Sequence, residues 1–566
     1  MAKRYRPVNR DQPYLFPPDM REWLPPGHPV WLVITAVEDH LDTSAFHAAR
    51  KTGGAGAAGY DPDMLATVLV WAYAHQVTSS RRMEQLCHTD VAFRVICGGN
   101  LPDHVTIARF RAQFPGAAAA FFAQVLGLCA GLGMGKLGVV ALDGMKIAAS
   151  ASKSANRTAD TLARLAAETV ARHGQTDAAE DEAFGEGVAG DEVPPDAWRP
   201  GRRDERIAAA LASLQAGEAA GQQERKKAEA EHLADAAAGR PRPGRRPAGT
   251  DVELAAMKVE RARAAQQAKA DAWDARAAAA RRPLRGCRPR DPDSYVRVRQ
   301  ARAQLQAARA REAAAQARAA REKDNRKGPG PVRNITDPDS RLMPLRGGGF
   351  AQGYNPQNVT SLDRLIIATE LTASTTDTEW FEPMLRKAQD AAAFITAHRP
   401  PPAPPRPSCD SDPGDPAARA SLIGLFLADA GYLSEHNLTI DGPGRLIATG
   451  KTRDLEKAAR DPGSVPWTSP HIAAMAARLQ TGEGITAYRQ RGHIAETPHG
   501  HIKHNMRFRQ LSMRGKPKAA AEWTFVCAVH NLFKAITTGN LTPDALDRLA
   551  SQPAHPPAPA RTPQPA

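Results

Sequence analysis

The chain has 566 residues, more than one ordinary domain, and its 75 lysines and arginines exceed its 61 aspartates and glutamates, which gives a net charge of +14. This balance favours polyanionic partners, although many structural proteins share it. The six cysteines show no CxxC spacing, so neither a zinc ribbon nor a disulfide framework is indicated, and a reducing, cytoplasmic setting is expected.

No targeting or membrane segment is predicted. The first residues are basic, but Pro7, Asp11 and Pro13 stand where a signal peptide would have its apolar core. The uncharged run over 117–135 is rich in alanine and glycine and is weakly hydrophobic for its length. We interpret it as a helix buried in a protein core.

Residues 1–115 are predicted to form an all-α domain. The apolar run over 64–76 has the composition of a buried helix, and Asp103 can cap a later, basic helix. Arg109 and Arg111 of that helix are expected to point outward, which suits DNA docking by a helix-turn-helix-like surface. An ordinary helical bundle with a solvated basic face fits these residues equally well.

The hydrophobic period changes to that of strands after residue 136. LGVVAL is a short β-branched run that ends at Asp143 and Gly144, and MKIAASA resumes extended character, so the two are predicted to form an antiparallel hairpin. An Asp-Gly pair more often marks a turn than a catalytic site. Residues 116–155 are assigned to the start of a domain that contains a sheet.

Residues 156–334 are rich in alanine, arginine and glutamate and poor in large apolar side chains. Strong helix formers with little to bury predict long solvated helices, separated by the breaks PRPGRRPAG and RPLRGCRPRDP. The segment is therefore predicted to be a large helical insertion. Its arginine excess offers no sharper sign of DNA contact than charge.

Sheet-like sequence resumes over 335–540. A hairpin is predicted around the Leu-Asp pair of TSLDRL, followed by a helix with Thr376 or Asp377 as its cap. GLFLADAG predicts an apolar strand that ends at Asp429, SEHNL predicts the start of a helix, and RLIATG predicts another strand.

Two segments are predicted to lie outside the folded core. Residues 399–416 form a proline-rich run that is expected to be an exposed loop. Residues 541–566 end in a run of proline, alanine and glutamine that cannot build a core, so a disordered tail is expected.

Three acidic residues are candidates for a catalytic site. Asp143 and Asp429 each close an apolar run, and Glu496 lies among basic residues in AYRQRGHIAETPHGHIKHNMRFRQ. Hard Mg²⁺ ions prefer carboxylate oxygens and the surrounding cations can hold phosphates, so the set suits a nuclease-type metal site. The predicted elements follow the order of an RNase H-like α/β fold, a mixed sheet flanked by helices. In that order, a strand that ends at an acid is followed by two strands and a helix. A second strand that ends at an acid, a helix, a further strand and a helix that carries the third acid complete it. An enzyme that cuts and joins DNA is predicted.

A rival interpretation of the same segment is a metal site formed by His499, His501 and His504. No cysteine accompanies these residues, and HxHxxH is not a standard zinc spacing. Histidines that face solvent or phosphate are the simpler interpretation.

Five groups of motifs occur in a characteristic order: YDPDMLATVLVWAYAHQ with PDHVTIARFR, ALDGMKIAASAS, GGGFAQGYNPQ, LADAGYLSEHNL, and ETPHGHIKHNMRFRQ. In these motifs the chain resembles bacterial insertion-sequence transposases of the DDE type, specifically the IS1182-like group within the IS4/IS5-like assemblage. The resemblance implies that Asp143, Asp429 and Glu496 are the catalytic triad and bind two Mg²⁺ ions, or Mn²⁺ in their place.

The resemblance also extends to a tyrosine-arginine-glutamate-lysine signature, carried here by Tyr488, Arg491, Glu496 and Lys503. Four residues separate the arginine from the glutamate, where the IS4 pattern usually has three. The resemblance implies that Tyr488, Arg491 and Lys503 bind phosphates of the DNA end. Because proline suits only the first turn of a helix, Pro498 predicts that the helix begins near Glu496.

The implied function is DNA transposition. The expected partners are the terminal inverted repeats of the element and target DNA, bound as duplexes by a homodimer in a synaptic complex, without a membrane and in the nucleoid-associated cytoplasm. One alternative is an RNase H-like nuclease that cleaves DNA without strand transfer. A second is a non-catalytic DNA-binding or scaffold protein whose working part is the insertion.

Overall fold

The computed structural model describes residues 19–47, 59–112, 114–168, 171, 202–239, 247, 249–280, 284, 286–324, 331–345, 348–400, 422–450 and 469–551. The chain divides into two compact units. One comprises Met1–Ala155 with Thr336–Ala566, and the other comprises Asn156–Ile335.

The N-terminal part of the first unit is helical. The long buried helix of this region begins with a proline, and the Asp61 carboxylate caps it by accepting a hydrogen bond from the Asp63 amide. Ser79 and Asp90 cap the two helices that follow. The helices α1–α7 span Pro29–Thr35, Ser44–His47, Pro62–Ala74, Ser80–Thr89, Val91–Cys97, His104–Ala112 and Phe114–Gly131.

These helices share one hydrophobic core with the rest of the unit. Tyr73 donates a hydrogen bond to the buried Glu522 carboxylate at 2.8 Å, and the same carboxylate accepts from the Ser512 amide at 2.8 Å. Phe121 stacks on Phe525 with ring centroids 5.2 Å apart. The described helices of residues 19–112 therefore pack against the C-terminal helices and share their core.

The predicted core helix over 117–135 corresponds to α7, which packs in this core but ends at Gly131. No single helix in the described part of the chain is long and apolar enough to cross a membrane. One bent pair, His104–Ala112 with Pro115–Gly131, passes that test by length and composition alone.

In the described residues a mixed sheet of seven strands forms the centre of the first unit. Its middle runs β7-β6-β1-β8-β9: β6 is antiparallel to β7 and β1, whereas β8 is parallel to β1 and β9. The short strands β2 and β5 pair with the first residues of β6. The bounds are Val139–Gly144 (β1), Ile147–Ala148 (β2), Arg341–Pro344 (β5), Phe350–Ser361 (β6), Ile366–Thr372 (β7), Leu425–Ala428 (β8) and Gly444–Ile447 (β9).

The predicted hairpin at Asp143 and Gly144 is wrong. Both β1 and β2 pair antiparallel with β6, so the chain continues in the same direction after Gly144. A Cβ at Gly144 would lie 2.6 Å from the side-chain amide nitrogen of Gln357 on β6. Glycine therefore makes room for this neighbouring side chain and does not form a turn. The strand partner is more than 200 residues away, and local sequence carries no sign of it.

The other predicted strands and helices of the sheet region are confirmed, but neither Thr376 nor Asp377 caps the helix that follows through its side chain. A tight turn joins β6 to β7 at Leu362 and Asp363, β8 ends immediately before Asp429, a helix begins at Glu435 and β9 follows. Asp377 precedes a short 3₁₀ turn that leads into a helix beginning at Phe381. The helices of this part of the chain are α12 to α18: Phe381–His398, Glu435–Thr439, Pro470–Gln480, Gly482–Arg491, Thr497–Gly500, Lys516–Thr537 and Pro543–Ala550.

The helix that carries Glu496 does not begin near that residue, and this prediction is wrong. Helical structure runs continuously over 482–505, where wide π turns at Gly492–Glu496 and His501–Asn505 flank the short α-helical turn Thr497–Gly500. Proline lacks the amide hydrogen that an α-helix uses, and a π turn shifts the hydrogen-bond register just before Pro498. We call this element the 482–505 helix.

The second unit consists of long, largely exposed helices on a small base. The strands Asn156–Thr158 (β3) and Val332–Asn334 (β4) pair antiparallel, so both ends of the unit meet there. The small core holds Leu162, Ile207 and Leu214. Its helices α8–α11 span 159–168, Arg202–Ala237, Asp251–Ala279 and Val296–Asp324.

The predicted tail over 541–566 begins too early. Residues 543–550 form a helix in which Ala545 and Leu546 are buried, because its apolar residues fall on one face. Residues 552–566 lie outside the described residues, as does 401–416 of the predicted proline-rich loop.

Candidate active site

Asp143 and Asp429 lie at the same edge of the sheet. β1 and β8 are adjacent parallel strands with Ala141 opposite Leu427, and continuing this register by two residues places Asp143 opposite Asp429. Neighbouring strands are about 4.8 Å apart, so the two carboxylates come from adjacent positions although 285 residues separate them in the chain. The apolar residues that bury both strands hold these two positions in place.

The Asp143 carboxylate is held between two basic side chains. One oxygen lies 3.6 Å from Arg491 Nη1 and the other lies 3.5 Å from His499 Nδ1. Burial favours a higher pKa for Asp143, but the hydrogen bond and charge of His499 and the charge of Arg491 outweigh it and lower the pKa. Asp143 is therefore ionised at neutral pH.

Asp429 has the opposite electrostatic environment. Its carboxylate accepts a hydrogen bond from the Gly431 amide at 2.9 Å. Burial and the neighbouring charge of Asp143 raise its pKa, and this amide bond and the charge of Arg491 compensate only in part. A second cation at this edge would relieve the repulsion between the two carboxylates.

Glu496 enters the site from the 482–505 helix. Its carboxylate is 57% exposed and lies 3.4 Å from Arg491 Nη2, so one guanidinium reaches both Glu496 and Asp143. The Arg491 side chain is only 16% exposed, and its Nη1 has no hydrogen-bond partner among the described residues. Arg491 therefore supplies the positive charge that brings these two acids together.

The three acids do not close into a compact cage. Among the described residues, the one group of three whose possible ligand atoms all lie within 4.8 Å of one another is His47, Asp61 and Asp63. Those residues have structural roles, since Asp61 caps a helix and Asp63 accepts a hydrogen bond from His47. The oxygen donors of Asp143, Asp429 and Glu496 nevertheless suit a hard cation, and a cation beside Asp429 would oppose the burial and the charge of Asp143 that raise its pKa.

Tyr488 and Lys503 lie on the same helix and face the same region. The Tyr488 hydroxyl donates to the carbonyl oxygen of Ala428, the residue before Asp429, at 3.3 Å. Burial lowers the pKa of Lys503 while the charge of Asp143 opposes that shift, so the ammonium group lies within electrostatic reach of Asp143. Together with Arg491, these residues make the acidic edge basic on its helix side.

Arg109 and Arg111 differ in their surroundings. Arg109 is exposed, as predicted. Arg111 does not point outward: its Nη1 donates to the Thr78 carbonyl at 2.6 Å, and its charge acts on Tyr73. That prediction is wrong because the preceding helices place a free carbonyl within reach of this guanidinium.

The rival histidine site does not form among the described residues. His499 contacts Asp143 and the Asn358 amide, His501 contacts His530 at 3.0 Å, and His504 is exposed. The sequence reasoning missed the contact between His499 and Asp143. Its position three residues after Glu496, on the same side of a helix, is a signal that could have indicated it.

Asp377 and Lys146 also belong to this edge and were missed. Asp377 accepts hydrogen bonds from the side-chain amides of Asn355 (2.6 Å) and Gln357 (2.8 Å), and it lies 3.7 Å from Lys146 Nζ. Its charge contributes to the raised pKa of Asp429. Only pairing between distant strands brings these groups together, so no local pattern predicts them.

Two parts of the chain match known protein families. Residues 18–113 match the family described as transposase domain (DUF772), and residues 462–536 match the family described as transposase DDE domain. Both matches indicate a DNA transposase. They are consistent with an IS1182-like DDE transposase. No curated protein and no solved structure matches the chain.

The two family matches cover different parts of the transposase. The DDE match includes the helix with Tyr488, Arg491, Glu496 and Lys503, but not the strands that end at the two aspartates. Domains of this kind usually need a divalent metal, in agreement with the oxygen donors at the sheet edge. The transposase-domain match covers the N-terminal helices.

Proposed function

We propose that the protein binds the terminal inverted repeats of an insertion sequence, cleaves the DNA at the ends and joins a freed strand to target DNA. The observation that carries this proposal is the shared edge of the sheet. Asp143 and Asp429 end adjacent parallel strands there, and the 482–505 helix brings Glu496 to the guanidinium that also binds Asp143.

The sheet supports an RNase H-like catalytic core, which we propose for residues 116–155 and 335–540. The elements follow the order expected from the sequence: a strand that carries Asp143, two antiparallel strands, a helix, a parallel strand that ends at Asp429, a short helix, a parallel strand, and a helix that carries Glu496. A helical unit is inserted after the first strand.

In this proposal Asp143, Asp429 and Glu496 hold two Mg²⁺ ions, or Mn²⁺ in their place. The ions would supply Lewis-acid activation of the attacking hydroxyl and stabilise the charge that develops on the scissile phosphate. His499 orients the Asp143 carboxylate through its contact at 3.5 Å. Arg491, Lys503 and Tyr488 bind phosphate oxygens near the scissile bond, because they form the basic and polar wall opposite the acids.

The remaining parts have proposed roles in binding DNA. Residues 1–115 recognise the terminal repeats, with the exposed Arg109 as one contact. The insertion at 156–334 helps hold two DNA ends in a synaptic complex of two protein copies. Both roles require long-range attraction to phosphates, which the net charge of +14 provides. The protein would act in the cytoplasm, at nucleoid DNA.

The triad is tested with Asp143→Asn, Asp429→Asn and Glu496→Gln in the full chain. Each change removes one metal-binding charge and preserves volume, so we expect end cleavage in Mg²⁺ to be abolished while end binding, measured in Ca²⁺, stays near wild type. Glu483→Gln is a matched control, since Glu483 is exposed at the start of the same helical segment.

A gel assay on duplexes that carry the element's ends gives both readouts. A triad variant that cuts at a near wild-type rate would remove that residue from the proposed site. Cleavage without any joined product, at all metal concentrations, would favour a nuclease and contradict strand transfer.

A further inference from the structure

A cavity of about 90 Å³ lies beside the 482–505 helix, on a different side from the acids. Thr497 and His501 line it and are four residues apart, so they share a helix face, whereas His499 between them points to Asp143. A single water needs about 10–15 Å³ on this measure, so the cavity admits a larger group.

The lining of this cavity carries two cationic side chains among neutral histidine, threonine and proline side chains. It includes Arg364 from the β6–β7 turn and both His530 and Lys534 from the helix Lys516–Thr537. Burial and the charge of Arg364 lower the pKa of Lys534, which shows that like charges are crowded there. Among the described residues no carboxylate lines the cavity. The nearby Asp363 accepts hydrogen bonds from the Gly135 and Lys136 amides.

The hydrogen bonds around the two histidines define their donors. His530 Nε2 contacts the Arg364 carbonyl oxygen at 3.3 Å and must donate to it. Burial and the charge of His501 lower the pKa of His530 to about 3, so its ring is neutral and Nδ1 accepts from His501 Nδ1 at 3.0 Å. Burial and the charge of Lys534 lower the pKa of His501, so its ring is neutral as well and its Nε2 is an acceptor that does not bind an anion.

Arg364 itself is held in an unusual state. Its backbone has φ of 68°, a left-handed conformation that glycine or asparagine adopts at less cost than arginine. Its Nε is buried and has no hydrogen-bond partner in the described part of the chain. The turn from β6 to β7 accounts for this φ, since the Arg364 amide donates to the Ser361 carbonyl oxygen at 2.7 Å. The unsatisfied donor of the Arg364 guanidinium indicates a ligand that accepts hydrogen bonds.

We propose that this cavity binds one phosphate group, held by Arg364 and Lys534. The further statement that this phosphate belongs to the bound DNA strand rests on the proposed function. The cavity lies along the helix that also carries Glu496 and Lys503. A DNA strand whose scissile phosphate lies at the acids would place another of its phosphates in the cavity. The site positions DNA and does not contact the reacting atoms.

The first test uses inorganic phosphate and the full chain in EDTA, which removes any contribution from metal. We expect the melting temperature of the wild type to rise saturably in phosphate relative to chloride of equal ionic strength. Arg364→Asn and Lys534→Gln should lose this rise. Lys518→Gln is the matched control, because Lys518 is an exposed lysine near the other end of the same helix.

Arg364→Asn separates binding from folding. Asparagine tolerates the left-handed backbone, so this variant should melt in chloride no lower than the wild type while its response to phosphate disappears. A phosphate response equal to that of the control in both cavity variants would overturn the site.

The second test measures the affinity for duplex DNA by fluorescence anisotropy in EDTA at several salt concentrations. Loss of one phosphate contact should reduce the slope of log Kd against log salt by about 1 in each cavity variant relative to the control. An unchanged slope, together with a lost phosphate response, would show that the cavity takes free phosphate and overturn the assignment to DNA. A wild type that responds to phosphate but binds no DNA would contradict the proposed function and leave the phosphate site standing.

Discussion

Asp143 and Asp429 lie on neighbouring strands, yet their carboxyl groups bind protons differently. Arg491 and His499 stabilise the charge of Asp143, whereas Asp429 gains less compensation and also experiences the charge of Asp143. A cation bound beside Asp429 would stabilise its ionised form, which burial and the charge of Asp143 make costly.

This difference predicts opposite effects on stability without metal. In EDTA at pH 7 we expect Asp429→Asn to raise the melting temperature, because it removes a carboxylate whose pKa is raised in the folded state. Asp143→Asn should lower the free energy of unfolding by about 1–3 kcal/mol, because it leaves Arg491 buried with less compensation. Scanning calorimetry of both variants gives the comparison.

The raised pKa of Asp429 also predicts how the free energy of unfolding changes with pH. With a raised pKa, the folded state binds the Asp429 proton more tightly than the unfolded state, so the wild type loses stability as the pH rises through that pKa. The advantage of Asp429→Asn should therefore shrink as the pH is lowered through the same range. Shifts of the same sign for both variants at pH 7 would contradict these assignments.

At the scale of elements, the parallel pair β1–β8 places the two aspartates side by side. The strands approach closely where they begin: a Cβ at Gly424 would lie 2.5 Å from the carbonyl oxygen of Gly138. Gly138 lies across the same contact, but its own Cβ would meet nothing within 4 Å. Glycine is thus required on one strand of the pair only.

We therefore expect Gly424→Ala to lower the free energy of unfolding by about 1–3 kcal/mol, as overpacking does, and to reduce cleavage by separating the strand ends. Gly138→Ala is the matched control and should change stability by no more than about 0.5 kcal/mol. Denaturant unfolding of both variants is the measurement. Equal stability of the two would mean that the strands can separate at no cost.

At the scale of the whole molecule, the chain folds as two units whose connection is narrow. The strand pair β3–β4 brings Asn156 opposite Asn334, so the chain leaves the first unit and returns to it at neighbouring points. A short link can therefore replace the second unit without stretching the first. The first unit keeps its core, since the cluster around Leu162 belongs to the second unit alone.

Replacing residues 156–334 with a short Gly/Ser linker tests the role of the insertion. We expect the trimmed protein to fold, to bind Mg²⁺ in calorimetry and to bind a single DNA end, but to form paired-end complexes poorly because the basic helices are gone. Band-shift assays with two labelled ends and a mating-out assay measure this. Normal transposition by the trimmed protein would make the insertion dispensable.

Much of the candidate site could be predicted from local sequence. Apolar runs that end at an acid predict strand ends, and the alanine-rich composition of 156–334 predicts solvated helices, because burial and helix propensity act over a few residues. The order of these elements, with Glu496 in a basic segment, was sufficient to predict an acidic edge on a mixed sheet.

Only the tertiary structure decided how these pieces meet. The strand that ends at Asp143 is central and not half of a hairpin, because its hydrogen-bond partners come from residues 357–361 and 425–427. The 482–505 helix continues through Pro498 because a wide turn accommodates the missing amide hydrogen. Arg491 contacts two of the acids, and Arg111 turns inward to the Thr78 carbonyl oxygen. Long-range packing brings these partners together, so no local pattern in the sequence predicts the contacts.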